Sequence, residues 1–265
     1  MRPFKLIGFL AAASLVTAAC GQSGEAPVEE PAAQDQEPSK PLVLVAGATG
    51  GTGSLVVAEL IEQGYPVRAF VRNAEKAAER LGPDVEVVVG DLRDPASIAA
   101  TLDGVNVVVN AAGSGVPAPD DNMPEHVDFE GARNLADAAA AAGVGHYVLI
   151  SSMGATQDDH QLNRLFNNIL IWKRKGEEAV AASGVPYTII RPGGLNDGPG
   201  NEQTVIFEQG DLPGLEKAIS RADVARVTVA AVKDDGARNK VFEIYARDGE
   251  PQTGFSGEFA ALGGS

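Results

Sequence analysis

Residues 42–46, Leu-Val-Leu-Val-Ala, run directly into Gly47-Ala48-Thr49-Gly50-Gly51-Thr52-Gly53, so an apolar stretch of strand length ends in glycines spaced three apart, Gly47, Gly50 and Gly53. Such a turn leaves a chain few options. The first glycine permits a tight reversal, the second lets backbone N–H groups approach a pyrophosphate, and the third lets the following helix pack against the strand. The helix N-terminus then faces the anion with its partial positive charge. The pattern beyond predicts that helix, with Val56, Val57, Leu60 and Ile61 on one face and a stop at Gly64, and then a second strand over residues 66–71. A strand–helix–strand unit of about thirty residues is the setting that separates a nucleotide-binding turn from an ordinary glycine loop.

Strand-like runs continue at 85–89, 105–110, 146–151, 186–191 and 240–245, with helical or loop segments between them. The alternation predicts an α/β fold, a Rossmann-type doubly wound parallel sheet with helices on both faces. The runs ending at Gly90-Asp91 and at Asn110-Ala111-Ala112-Gly113 place those residues where strand C-termini open onto a ligand crevice. An alanine-rich helix is expected from Val127 to Ala142, with Val127, Ala132, Leu135 and Ala139 near one face, and one longer helix from about Gln161 to Ala182. Residues 193–214, rich in glycine, read as a loop region, and residues 249–265 as a flexible tail.

The first forty residues differ from the rest. Two cations in Met1-Arg2-Pro3-Phe4-Lys5 precede an apolar stretch from Leu6 to Ala19, which reads as an export signal over residues 1–20 and is too short to span a bilayer comfortably. Cys20, the only cysteine, follows Thr17-Ala18-Ala19 and precedes Gly21 in a run that resembles the bacterial lipoprotein cleavage site, which implies a lipidated cell-envelope protein whose membrane contact is its lipid anchor alone; an ordinary signal peptide with an incidental cysteine is the alternative. Residues 21–40 hold five carboxylates against a single Lys40 and read as an acidic disordered tether, leaving 41–248 for a nucleotide-binding domain. A net charge of −15 argues against nucleic acid as a partner. His126, His146 and His160 are scattered, without metal spacing, and read as surface or turn residues; no metal site is expected.

Taken together, Gly47–Gly53, Val71-Arg72-Asn73, Gly90-Asp91-Leu92, Asn110–Gly113, Val148-Leu149-Ile150-Ser151-Ser152 and the run Thr188–Leu195 resemble the atypical short-chain dehydrogenase/reductases, specifically the NAD(P)-binding NmrA-like group, over about residues 41–245. The resemblance implies a dinucleotide cofactor, with Gly47, Thr49, Gly50, Gly51, Thr52 and Gly53 at the phosphates. Asp91 and Leu92 would flank the adenine, and Asn110, Ala111, Ala112 and Gly113 would lie along the cofactor backbone. Ser151, Pro192 and Gly193 would lie toward the nicotinamide. Asp91 also fits a simple turn after Gly90, and Pro192 with Gly193 fits ordinary turn chemistry. Where an NAD-preferring fold places a carboxylate for the ribose 2′-hydroxyl, this chain has Arg72, which reads either as a fork for a 2′-phosphate, favouring NADP(H), or as a solvated arginine.

Many members of the wider superfamily pair a tyrosine with a lysine four residues later. Here Lys173 matches the lysine and the tyrosine position holds Ile169, which donates no proton. Lys173 and Ser152 are the candidate catalytic residues, Lys173 also contacting the nicotinamide ribose. The expected function is NADP(H)-dependent oxidoreduction of a small acceptor such as a quinone or flavin. A non-catalytic redox sensor or scaffold is the alternative, and Asp223 is expected to cap the last helix.

Overall fold

The computed structural model describes residues 40–264 apart from 84, 120 and 212–216, so the expected export signal, Cys20 and nearly all of the tether lie outside the described residues. The glycine turn separates strand β1 (Val43–Ala46) from helix α1 (Gly51–Glu62). Strands β2 (Val67–Val71), β3 (Glu86–Val89), β4 (Val107–Asn110), β5 (His146–Ile150) and β6 (Tyr187–Pro192) follow at the positions their β-branched runs predict. The short β7 (Gly194–Asn196), β8 (Thr204–Glu208) and β9 (Ala218–Ser220) then precede β10 (Lys240–Arg247). One eight-stranded sheet runs in the order β3-β2-β1-β4-β5-β6-β10-β8, parallel throughout except for the antiparallel edge β8, while β7 and β9 form a separate parallel pair. This is a Rossmann-like α/β fold. The order reverses between β1 and β4, and the crevice at the strand C-termini opens there.

Alternate residues of each buried strand feed two cores. Val43 and Val45 pack with Val56, Val57 and Leu60 of α1 and with Val224 and Val227 of α6 (Arg221–Lys233) on one face. Leu44 and Ala46 pack with Leu135, Ala136 and Ala139 of α3 (Ala132–Ala141) and Val180 of α5 (Ile169–Ala182) on the other. A short helix, α2 (Ala74–Leu81), follows β2, its first turn capped by Asn73, whose side chain accepts from Lys76 N. Ile61, expected on the apolar face of α1, is 39% exposed.

Several expectations are corrected. The helix expected over 161–182 is two helices, α4 (Gln161–Leu165) and α5, broken at Asn167 and Asn168, both left-handed with φ of 51° and 58°. The cause is Asn163. Its buried side chain accepts from Leu170 N and Ile171 N at 2.9 and 3.3 Å and donates to the carbonyls of Gln157 and Asp158, an alternative to the helical ladder. The alanine-rich helix opens with a wide π-helical stretch, Glu125–Gly131, before α3. Gly176 of α5 lies against it, where a Cβ would collide with the Asp128 carbonyl. The supposed loop over 193–214 contains β7 and β8.

The supposed tail forms α7 (Ser256–Ala261), because Phe255 and Phe259 are apolar anchors: both are buried in a cluster with Phe207 and Phe242, with ring centroids 5.4–5.8 Å apart. Residues 40–265 accordingly pack as one unit with no boundary at 248. Phe259→Ala is expected to cost about 3–5 kcal/mol in chemical denaturation; an unchanged midpoint would return the segment to a loose tail.

His146, expected at the surface, opens β5 almost fully buried, with Nε2 2.8 Å from Thr188 Oγ1. Burial, seconded by the nearby Arg238 charge, pushes its pKa down to about 4. The unfolded chain takes up this proton near pH 6.5 and the folded chain does not. Stability is therefore complete above pH 6.5 and falls between 6.5 and 4, by ~3 kcal/mol from this residue. Denaturation midpoints of the wild type and His146→Gln across that window should diverge; parallel pH profiles would contradict the assignment.

Candidate functional site

The glycine turn is built by close backbone approach. Gly47 takes φ of +74°, and a Cβ there would stand 2.6 Å from Ala112 N; a Cβ on Gly53 would collide with the Gly47 carbonyl oxygen. Side chains at 47 and 53 would thus separate β1 from both α1 and the 111–113 segment. Gly50 caps α1 without a side-chain hydrogen bond, and the first turn carries no acidic residue, leaving its positive end facing the crevice.

Above this turn lies a cleft of ≈ 210 Å³. Of the sequence candidates, Gly47, Thr49, Gly50, Arg72, Asp91, Leu92, Ala111, Ala112 and Gly113 line it, joined by Phe70, Val71, Lys76, Asn122 and Val127. Thr52 and Gly53 are instead buried beneath the turn, and Gly51 lies beside Arg221. Asn110 turns its amide inward, donating to Tyr147 Oη at 2.9 Å while its oxygen accepts from Ala112 N at 3.0 Å. It therefore holds the backbone that forms the cleft wall rather than facing the cleft.

Where β2 ends, the cleft is cationic. Arg72 Nη1 donates to Asn122 Oδ1 at 2.8 Å, and buried Asn122 is fixed in turn by its bond to the Ser114 carbonyl. Lys76, one turn into α2, faces the same space. Asp91 would oppose these charges, but Arg93 grips both its carboxylate oxygens and lowers its pKa, chiefly through that side-chain hydrogen bond, with the Arg72 charge adding to the effect. Lys76 was absent from the sequence reading. Its place at the third helical position after the Asn73 cap, four residues past Arg72, is the sign that marks it.

At the Gly113 end, Lys173 Nζ donates to Asp128 Oδ1 at 2.7 Å, and Asp128 Oδ2 accepts from Ser114 N at 3.1 Å. The Asp128 side chain is 1% exposed, and Lys173 supplies the opposite charge that a carboxylate buried this deeply needs as a partner. A Cβ on Gly113 would meet both groups, at 3.3 and 3.7 Å. Lys173 and Asp128 also line a second, narrow cavity of about 10 Å³ with Asn110 and Ser151, adjoining the first through Ala112 and Val127. Ile169 is buried one turn before Lys173.

Beneath this end runs a buried ionic chain. Ser151 Oγ donates to Glu177 Oε1, Arg191 binds both Glu177 oxygens at 3.0 and 2.6 Å, and its Nη1 reaches Glu243 Oε1 at 3.0 Å. Burial works against the Arg191 cation, yet the two carboxylates hold its pKa above the ordinary value, while burial raises that of Glu243. Ser152 Oγ donates to the Met153 carbonyl, outside this chain. Pro192 and Gly193 line neither cavity; Gly193 is needed because the Lys217 carbonyl occupies the space of its missing Cβ. Asp223 does not cap α6: Ser220 does, and Asp223 answers it from the first turn at 2.8 Å.

A family profile described as NAD(P)H-binding matches residues 47–235. The chain is 38% identical over 245 residues to an uncharacterized chloroplastic protein of Arabidopsis thaliana, covering 83% of this chain and 75% of that protein. It is 36% identical over 244 residues to sanguinarine reductase of Eschscholzia californica, covering 77% and 89%. Among solved structures, one from Bacillus halodurans, described as an NAD-dependent epimerase/dehydratase, superposes with a TM-score of 0.73 at 27% identity, over 84% of this chain and all of the other. The expectation of an exported envelope lipoprotein does not stand, because curated relatives of this chain are chloroplastic plant proteins. A Rossmann-like fold, a glycine turn closed by backbone contact and a cleft over it agree with the profile: the chain belongs to the NAD(P)H-binding family of atypical, NmrA/epimerase-type reductase relatives.

Proposed function

We propose that this protein is an NADP(H)-dependent reductase of a small conjugated acceptor, such as a quinone or flavin. The observation that carries the cofactor choice is the pair Arg72 and Lys76 on the cleft wall after β2, where a carboxylate would select NAD. A 2′-phosphate there would meet two cations, one already oriented by Asn122, with Asp91 neutralised by Arg93. The missing Cβ atoms at Gly47 and Gly53 and the bare end of α1 fit a diphosphate.

When bound, the nicotinamide supplies a hydride. Lys173, held by Asp128 beside Gly113, would position its ribose, and Ser151, fixed by Glu177, would lie below. Ile169 removes the usual proton donor, which favours acceptors that take a hydride without simultaneous protonation, their reduced anions being delocalised. The similarity to sanguinarine reductase supports reduction as the chemistry. The second reading, a non-catalytic NADP(H)-binding sensor or scaffold, is favoured by the same Ile169 and by the narrowness of the cavity beside Lys173.

Calorimetric titration of NADPH and NADH tests the cofactor reading. Arg72→Ala should weaken NADPH roughly ten- to a hundredfold and leave NADH unchanged, and Lys76→Ala should do the same to a smaller extent. Equal losses for the two cofactors would sink it.

A further inference from the structure

Arg221, the first residue of α6, lies on the dinucleotide turn. Helices α1 and α6 cover the same face of the sheet and mesh along their apolar sides, both beginning at the edge where the parallel strands end. Their first residues meet there. A Cβ on Gly51 would stand 3.0 Å from Arg221 Nε and 3.1 Å from its Cδ, so the arginine stem crosses directly over the first turn of α1. Among the described residues its guanidinium is held by one carboxylate: Nη1 bonds Asp197 Oδ1 at 2.6 Å. The Asp197 side chain is 87% exposed, and a pair this open to water contributes little and is readily exchanged. The end of α1 that it overhangs has neither a side-chain cap nor an acidic residue in its first turn, whereas α6 has both.

We propose that Arg221 is a diphosphate-binding residue, held open by Asp197 and transferred to the phosphates when a dinucleotide seats on the glycine turn. A guanidinium fork matches two phosphate oxygens as well as it matches a carboxylate, and the diphosphate brings two negative charges to a site where Asp197 offers one. In a chain of net charge −15, a local cation also offsets repulsion of the incoming polyanion. This inference rests on dinucleotide binding by the family and is independent of the NADP(H) preference, since NAD and NADP carry the same diphosphate.

Calorimetry with NADP⁺, NAD⁺ and adenosine 2′-monophosphate, on the wild type, Arg221→Gln and Asp197→Asn, tests it. Arg221→Gln should weaken both dinucleotides by the same factor, about tenfold, and leave the monophosphate, which has no diphosphate, unchanged. Asp197→Asn should tighten both dinucleotides about twofold by freeing the guanidinium. Wild-type affinity for both dinucleotides in Arg221→Gln overturns the proposal, as does an equal loss on the monophosphate, which would mark Arg221 as packing only. Should Arg221→Gln melt early, the Asp197→Asn arm decides alone, and unchanged or weaker dinucleotide binding there refutes the exchange. Loss confined to NADP⁺ would assign Arg221 to the 2′-phosphate instead and likewise refute it.

Discussion

No side chain fits between the end of β1 and the first turn of α1, and the rest of the site depends on that contact. The Gly47 carbonyl occupies the space of a Gly53 Cβ, and the 111–112 backbone occupies that of a Gly47 Cβ. Two neighbouring strands and one helix therefore converge at main-chain contact distance beneath the crevice. Asn110 keeps the third wall in place through Tyr147 and Ala112. Everything ligand-specific is then added at the two ends of this floor.

The ends differ in how they are held. The end beside β2 is exposed and cationic, with Arg72 and Lys76 on its wall, so these charges contribute little to folding, and the proposed function gives them the choice of cofactor instead. The other end is buried, and its charges are obligatory partners: Lys173 with Asp128, and Arg191 between Glu177 and Glu243. Such pairs fix geometry more than they add stability. They tie down Ser151 and Lys173 beside a position where Ile169 offers no acid, which is why the proposed function relies on hydride delivery rather than general-acid chemistry.

The sheet was legible because its strands are β-branched runs at regular spacing, and the glycine turn because its spacing admits few structures. Nine of the cofactor candidates line one cleft, since each closes a strand whose end the pattern located. What was not legible came from single side chains acting at a distance. Asn163 redirects seven residues of backbone with its amide and breaks a helix that periodicity alone would continue. Phe255 and Phe259 find Phe207 and Phe242 across more than a dozen residues, so a glycine-rich segment that looks frayed is part of the core. Asp128 lies 45 residues from Lys173, and nothing in its own stretch, Glu125–Gly131, marks it apart from the neighbouring carboxylates as that lysine's partner.

The most direct test of the account is stopped-flow oxidation of NADPH by residues 40–265 with a soluble quinone as acceptor. The account predicts multiple turnovers with NADPH, slower with NADH, and a strong loss in Lys173→Met with quinone. Tight NADPH binding without oxidation of the nicotinamide would contradict it and leave a dinucleotide-binding protein that performs no reduction.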